Sequence, residues 1–200
     1  MKKWFSLILT FACAAAWAQS PATSPPERLR GTLESFDGKT LVMKERRGDV
    51  IRLVVADDFR ITEVFPIALS AIQPGSYIGT AATPGPDGVL QAAEVAVFPE
   101  AARGSGEGHQ PWDLEPGSTM TNATVSDLVV AAQGRTLKLR YKDGEKTLVI
   151  PENAPIVSFK SGDLGLLVPG AKIFVTAQIR NAKPTAVSVA AGRDGFGPPM

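Results

Sequence analysis

One imidazole is present in this sequence, His109, and it sits in a stretch unlike any other in the chain: Gly104-Ser-Gly-Glu-Gly-His-Gln-Pro-Trp-Asp-Leu-Glu-Pro-Gly-Ser-Thr-Met-Thr-Asn122. Glu107 and Asp113 flank the histidine closely enough to join it around a divalent cation, which such a set would hold weakly. A zinc centre normally takes three or four protein ligands, most of them His or Cys, so catalytic zinc is not expected. A Ser-His-Asp triad would have to use His109, and no Gly-x-Ser-x-Gly elbow accompanies it. Asp57 and Asp58 are adjacent, so on a strand they point to opposite faces and cannot share a proton. Arg47-Gly48-Asp49 is the integrin-recognition tripeptide, but its place between two apolar runs makes it a hairpin turn. No glycine loop followed by Lys-Ser/Thr is present to cradle a phosphate. No catalytic residue is assigned, and an enzyme is not expected.

Trp112 is the other notable side chain of this stretch. A plain spacer seldom carries a tryptophan, whereas an ordered loop packed on a sheet often does. Two roles are open: stacking on a ligand, with His109, Glu107, Asp113 and Glu115 around it, or plugging the end of a barrel.

The N-terminus reads as an export signal. Lys2 and Lys3 precede an uncharged, mostly apolar run over residues 4–16, and Ala16-Trp17-Ala18 is a small-x-small cleavage site. The run is shorter than the roughly 20 apolar residues that span a bilayer, and Pro, Ser and Glu follow it. Cleavage after Ala18 removes Cys13 and leaves Trp112 as the sole tryptophan. A cut before Cys13 would instead acylate its thiol and anchor the chain; the bulky Phe11 fits that recognition poorly. The mature chain would carry 19 basic and 20 acidic residues, with no dense basic stripe. Nucleic acid is therefore not an expected partner. Without cysteine, neither a disulfide nor a thiol nucleophile is available. No later stretch has transmembrane length.

The elements that must position these residues come in two copies. Asp37-Gly-Lys-Thr-Leu-Val42 matches Gln133-Gly-Arg-Thr-Leu-Lys138, Gln73-Pro-Gly-Ser-Tyr-Ile78 matches Val168-Pro-Gly-Ala-Lys-Ile173, and Glu94-Val95 matches Ser188-Val189. The offset stays between 94 and 96. The pattern predicts a signal at 1–18, a flexible leader at 19–28, unit one at 29–99, an ordered linker at 100–121, unit two at 122–191 and a loose tail at 192–200. In each unit three strands come first, at 29–36, 40–46 and about 51–55, and at 123–132, 135–142 and about 148–150. Leu137, Leu139 and Tyr141 alternate with polar residues, the period of a half-buried strand. A short helical or irregular piece follows, at 65–72 and 162–168, ended by Pro-Gly. Two more strands close each unit, at 76–82 and 90–98, and at 172–179 and 185–190. The fold class expected is all-β: two tandem five-stranded Greek-key barrels of the OB type, each with a short helix, packed together. One larger barrel sharing strands between the units is the alternative.

Gly106-Glu-Gly-His-Gln-Pro-Trp-Asp-Leu114 and Pro116-Gly-Ser-Thr-Met-Thr-Asn-Ala-Thr-Val125 resemble bacterial exported proteins containing the domain of unknown function 5666. The resemblance covers most of residues 29–191. It implies small OB-type barrels, often duplicated behind a signal peptide, and it brings no catalytic residues. The function expected is a non-enzymatic periplasmic binding or scaffold protein, without cofactor, for a small ligand, a glycan or a protein partner. Its weak ligand residues would be Trp112, His109 and Asp113. The alternative is a metal-associated accessory protein using His109, Glu107 and Asp113.

Overall fold

A computed structural model describes residues 25–131 and 134–199. The export signal and Cys13 lie outside the described residues. The structure is all-β. Strands β1 (Glu27–Phe36), β2 (Thr40–Glu45) and β3 (Val50–Pro66) form an antiparallel meander. The first turn is set by Asp37, whose carboxylate accepts the N–H groups of Lys39 and Thr40, with Gly38 at positive φ. Then come β4 (Tyr77–Pro84), β5 (Leu90–Ala92), β6 (Val95–Val97) and β7 (Gly108–Pro111). The second meander is β8 (Thr119–Ala131), β9 (Gly134–Tyr141) and β10 (Gly144–Ile150). The chain ends with β11 (Ile156–Ser161), β12 (Lys172–Arg180) and β13 (Lys183–Ala191).

The closed five-stranded barrel of this fold is not made by one unit. β1, β2 and β3 are joined by β12 and β13: β12 pairs with β1, and β13 runs parallel to β3. The remaining strands complete a second ring on the same plan. β8, β9 and β10 are closed by β4, which pairs with β8, and by β5, which runs parallel to β10. Each ring thus takes three strands from one unit and two from the other, so units 29–99 and 122–191 do not close separately. The physical reason is the length of β3. Seventeen residues span roughly 55 Å at about 3.3 Å each, and this carries the chain out of the first ring to the side of the second. In the second unit the same path is broken into β10 and β11 by Pro151 and Pro155.

Each ring has its own apolar core. Leu33, Leu41, Met43, Leu53 and Val175 fill the first, and Ile78, Leu137, Leu139, Leu148 and Ile150 the second. Between them β3 and β11 pair antiparallel, with Val64 opposite Phe159. Val64, Ala96, Val157 and Ala190 pack there with Phe159, Phe174 and Phe196. The two Pro-Gly turns tie the units together: Gly75 donates to the Val125 carbonyl and Gly170 to the Leu33 carbonyl, both at 2.8 Å. Both glycines have φ near +90°, a conformation that costs other residues strain.

Two local expectations need correction. The short helices are single 3-10 turns, Leu69–Ala71 and Leu164–Leu166; the prolines at 66 and 74 leave no room for a longer helix around the first. The tail is not loose over its described part. Arg193 bridges Glu63 and Asp163, and Phe196 packs into the cluster between the rings.

Candidate functional site

Within the stretch between the units, β7 pairs with β8, His109 opposite Thr121 and Gln110 opposite Met120. Alternation along β7 places His109 and Gln110 on opposite faces. On one face, His109 Nδ1 lies 2.8 Å from Thr121 Oγ1 and its ring stacks on Tyr141. Burial, helped by the Lys146 charge, holds its pKa below the usual histidine value. Glu107 accepts the Lys142 backbone N–H. Asp113 makes a 2.8 Å ion pair with Arg30. Burial pushes its carboxyl up, but the Arg30 bond and charge together with Arg28 outweigh that and keep it low. His109, Glu107 and Asp113 therefore have three different sets of partners. Among the described residues no group of three or more His, Cys, Asp or Glu side chains is placed to hold a metal ion. The metal set read from sequence is not assembled: His109 is held on Thr121 and Tyr141, Glu107 on the Lys142 N–H and Asp113 on Arg30.

Trp112 is held from behind. Its N–H donates to the Ser118 carbonyl, and its carbonyl accepts from the Ser118 hydroxyl. Its ring carries the Arg28 guanidinium on one face, 4.0 Å from the ring centroid. Beside it opens a cavity of about 280 Å³ between the two rings. Phe98, Phe159, Met120, Ala96 and Gly79 supply apolar walls. Glu94, Asn122 and Gln110 supply polar groups, and Arg28 stands at the rim.

Glu94 is the residue that sequence reasoning missed as a site. It is 1% exposed, and neither carboxylate oxygen has a partner. Burial pushes its pKa up to about 8, against a weaker pull from the Arg30 charge. A β-bulge sets it in place: the Ala81 carbonyl accepts both Ala93 N–H at 2.8 Å and Glu94 N–H at 3.4 Å. Two residues thus face one, which breaks β5 from β6 and re-aims the side chain between them. Thr80 Oγ1 donates to the Glu94 carbonyl at 2.6 Å and fixes the backbone. Two further polar atoms are buried and unpartnered beside it, Trp112 Nε1 and Asn122 Oδ1. Such groups cost about 1–3 kcal/mol each when left unmade. The available signal was a lone carboxylate inside the apolar run Leu90-Gln-Ala-Ala-Glu-Val-Ala-Val-Phe98.

No protein-family model matches this sequence, and comparison with curated proteins and with solved structures gives no match either. Among the described residues no helix is long and apolar enough to cross a membrane.

Proposed function

We propose that this chain is a non-enzymatic periplasmic binding protein whose ligand occupies the cavity between the two rings. One observation carries the proposal: a fully buried carboxyl group without a partner lines a preformed, aromatic-walled pocket. Such pockets, with few convergent polar groups and a perturbed titratable residue, are the usual form of a small-ligand site. No nucleophile paired with a base lines the cavity, which favours binding over catalysis. Export by residues 1–18, the OB type of the barrels and kinship with the 5666 domain family belong to the same proposal. They are supported by the signal-like N-terminus, the three-plus-two strand count of each unit and the linker motif. The test is a small-molecule library read by thermal shift and by Trp112 fluorescence on the cleaved chain. A ligand is expected to raise the melting temperature of the wild type and not of Glu94→Leu. Stabilisation of both proteins alike would overturn the placement of the site, and silence across the library would overturn the binding function.

A further inference from the structure

The unpartnered atoms of the junction cavity are unevenly divided. Three are acceptors, Glu94 Oε1, Glu94 Oε2 and Asn122 Oδ1, and one is a donor, Trp112 Nε1; the buried Arg30 Nε is a further unpartnered donor, outside the cavity lining. The Asn122 amide nitrogen donates to the Ser105 carbonyl, which leaves its oxygen turned the other way. An ammonium group is the natural complement of such a set, with three donors and no acceptor. Aromatic faces add to the attraction, because the ring quadrupole favours a cation. Trp112, Phe98 and Phe159 provide them. A bare amine would meet one obstacle, the Arg28 guanidinium at the rim. Arg28 rests on Trp112 and makes no ion pair among the described residues. An anionic group on the same ligand turns that obstacle into a partner.

We propose that the cavity binds a small zwitterionic amine, an amino acid with an apolar frame. Its ammonium donates to Glu94 and Asn122, its carboxylate meets Arg28, and its hydrocarbon part lies against Phe98, Phe159 and Met120. This rests on the cavity being the binding site. At about 280 Å³ the cavity lies just below the range of roughly 300–1,000 Å³ typical of drug-sized ligands, so the occupant is small. Binding moves one proton and forms no covalent bond. Burial favours the protonated form of Glu94 in the empty cavity, and the ammonium needs its carboxylate, so the Glu94 proton leaves to solvent as the ligand enters. The charged groups facing Glu94 are Arg30 and Arg28 from β1, and Arg30 is already paired with Asp113 from the linker. The cavity walls from β4, β6, β8 and β11 are uncharged: Gly79, Ala96, Met120, Asn122 and Phe159.

Calorimetric titration of the full chain with L-leucine and with 6-aminohexanoate tests this, at pH 6, 7 and 8 and in two buffers of different ionisation enthalpy. At least one probe is expected to bind, releasing protons at pH 7 and gaining affinity from pH 6 to 8. Glu94→Gln should lose at least tenfold and the pH dependence with it. Arg28→Met should weaken the zwitterion at least tenfold and leave butylamine unchanged. Thermal melts of both variants confirm that they fold. If butylamine binds wild type and the zwitterions do not, the proposal is overturned in its anionic half. If 4-methylpentanoate binds instead, with affinity falling as pH rises, Glu94 acts as a neutral donor and the ammonium is overturned. If only an uncharged ligand such as a sugar displaces Trp112 fluorescence, the proposal falls and the cavity remains the site. If none of these probes and no library compound binds, both fall.

Discussion

Two buried carboxylates stand on opposite sides of the seam between the rings, and they are treated differently. Glu63 on β3 is 4% exposed and is bridged by Lys160 and Arg193, each at 3.0 Å. Glu94 is more deeply buried and has no partner. Glu94 and Ser188 occupy matching places after matching bulges, one between β5 and β6, the other within β13 beside the Thr176/Ala177 shift. In the second unit the position holds a half-buried serine opposite Arg60, and the following tail supplies Arg193 and Phe196. In the first unit the position holds a glutamate, and the following linker supplies Trp112. The same backbone device therefore ends in a satisfied ion cluster on one side and an open, unsatisfied cavity on the other. A carboxylate that burial penalises and nothing compensates is a poor stabiliser.

Breaking this contrast should show in pH first. Glu94 has its folded-state pKa raised from 4.5 to about 8. The folded state holds the proton more tightly, so this contribution is fully present below about pH 4.5 and is lost as pH rises through about 8. Across that window wild type should lose stability steadily relative to Glu94→Gln, by a few kcal/mol from pH 5 to 8. Parallel denaturant curves of the two proteins would contradict it. Removing the satisfied acid should act with the opposite sign to removing the orphan. Glu63→Leu strands two cations that can still reach water, since Lys160 and Arg193 are about half exposed, and should cost about 2 kcal/mol in urea unfolding. Glu94→Met fills the same volume without the polar group and should stabilise the empty protein by about 1–2 kcal/mol at pH 7. A loss of stability there would mean that Glu94 is satisfied in solution. His109→Ala should change stability by less than about 1 kcal/mol. Zinc, copper and nickel should leave the melting temperature of wild type and variant alike. A metal shift abolished by the mutation would restore the metal reading.

The strands were legible in the sequence, because period-two alternation such as Leu137, Leu139 and Tyr141 and the Gly38 turn act locally. Partner choice was not legible. Nothing in residues 50–66 says that β3 runs unbroken past its own ring, and Pro74-Gly75 looks the same whether the chain folds back or crosses over. The similarity of short segments paired Glu94 with Ser188, two residues that each lie beside a shift in register. What it could not give was environment. A carboxylate amid alanines and valines reads as a solvent-facing strand residue until the bulge and the second ring are seen around it. Trp112 was grouped with His109, since proximity in sequence hides the alternation that sends neighbours such as His109 and Gln110 to opposite faces.

The exchange of strands has a consequence for how the chain can be made. β1, β2 and β3 emerge first but wait for β12 and β13, whose last residue, Ala191, comes almost at the end. Until then the first ring is an open sheet with two exposed edges, and such edges invite pairing with other chains. The second ring can close once β10 is made, about forty residues earlier in the order of synthesis. It therefore becomes the template against which the older strands wait, and a chain truncated after β11 would keep a finished ring attached to an unfinished one.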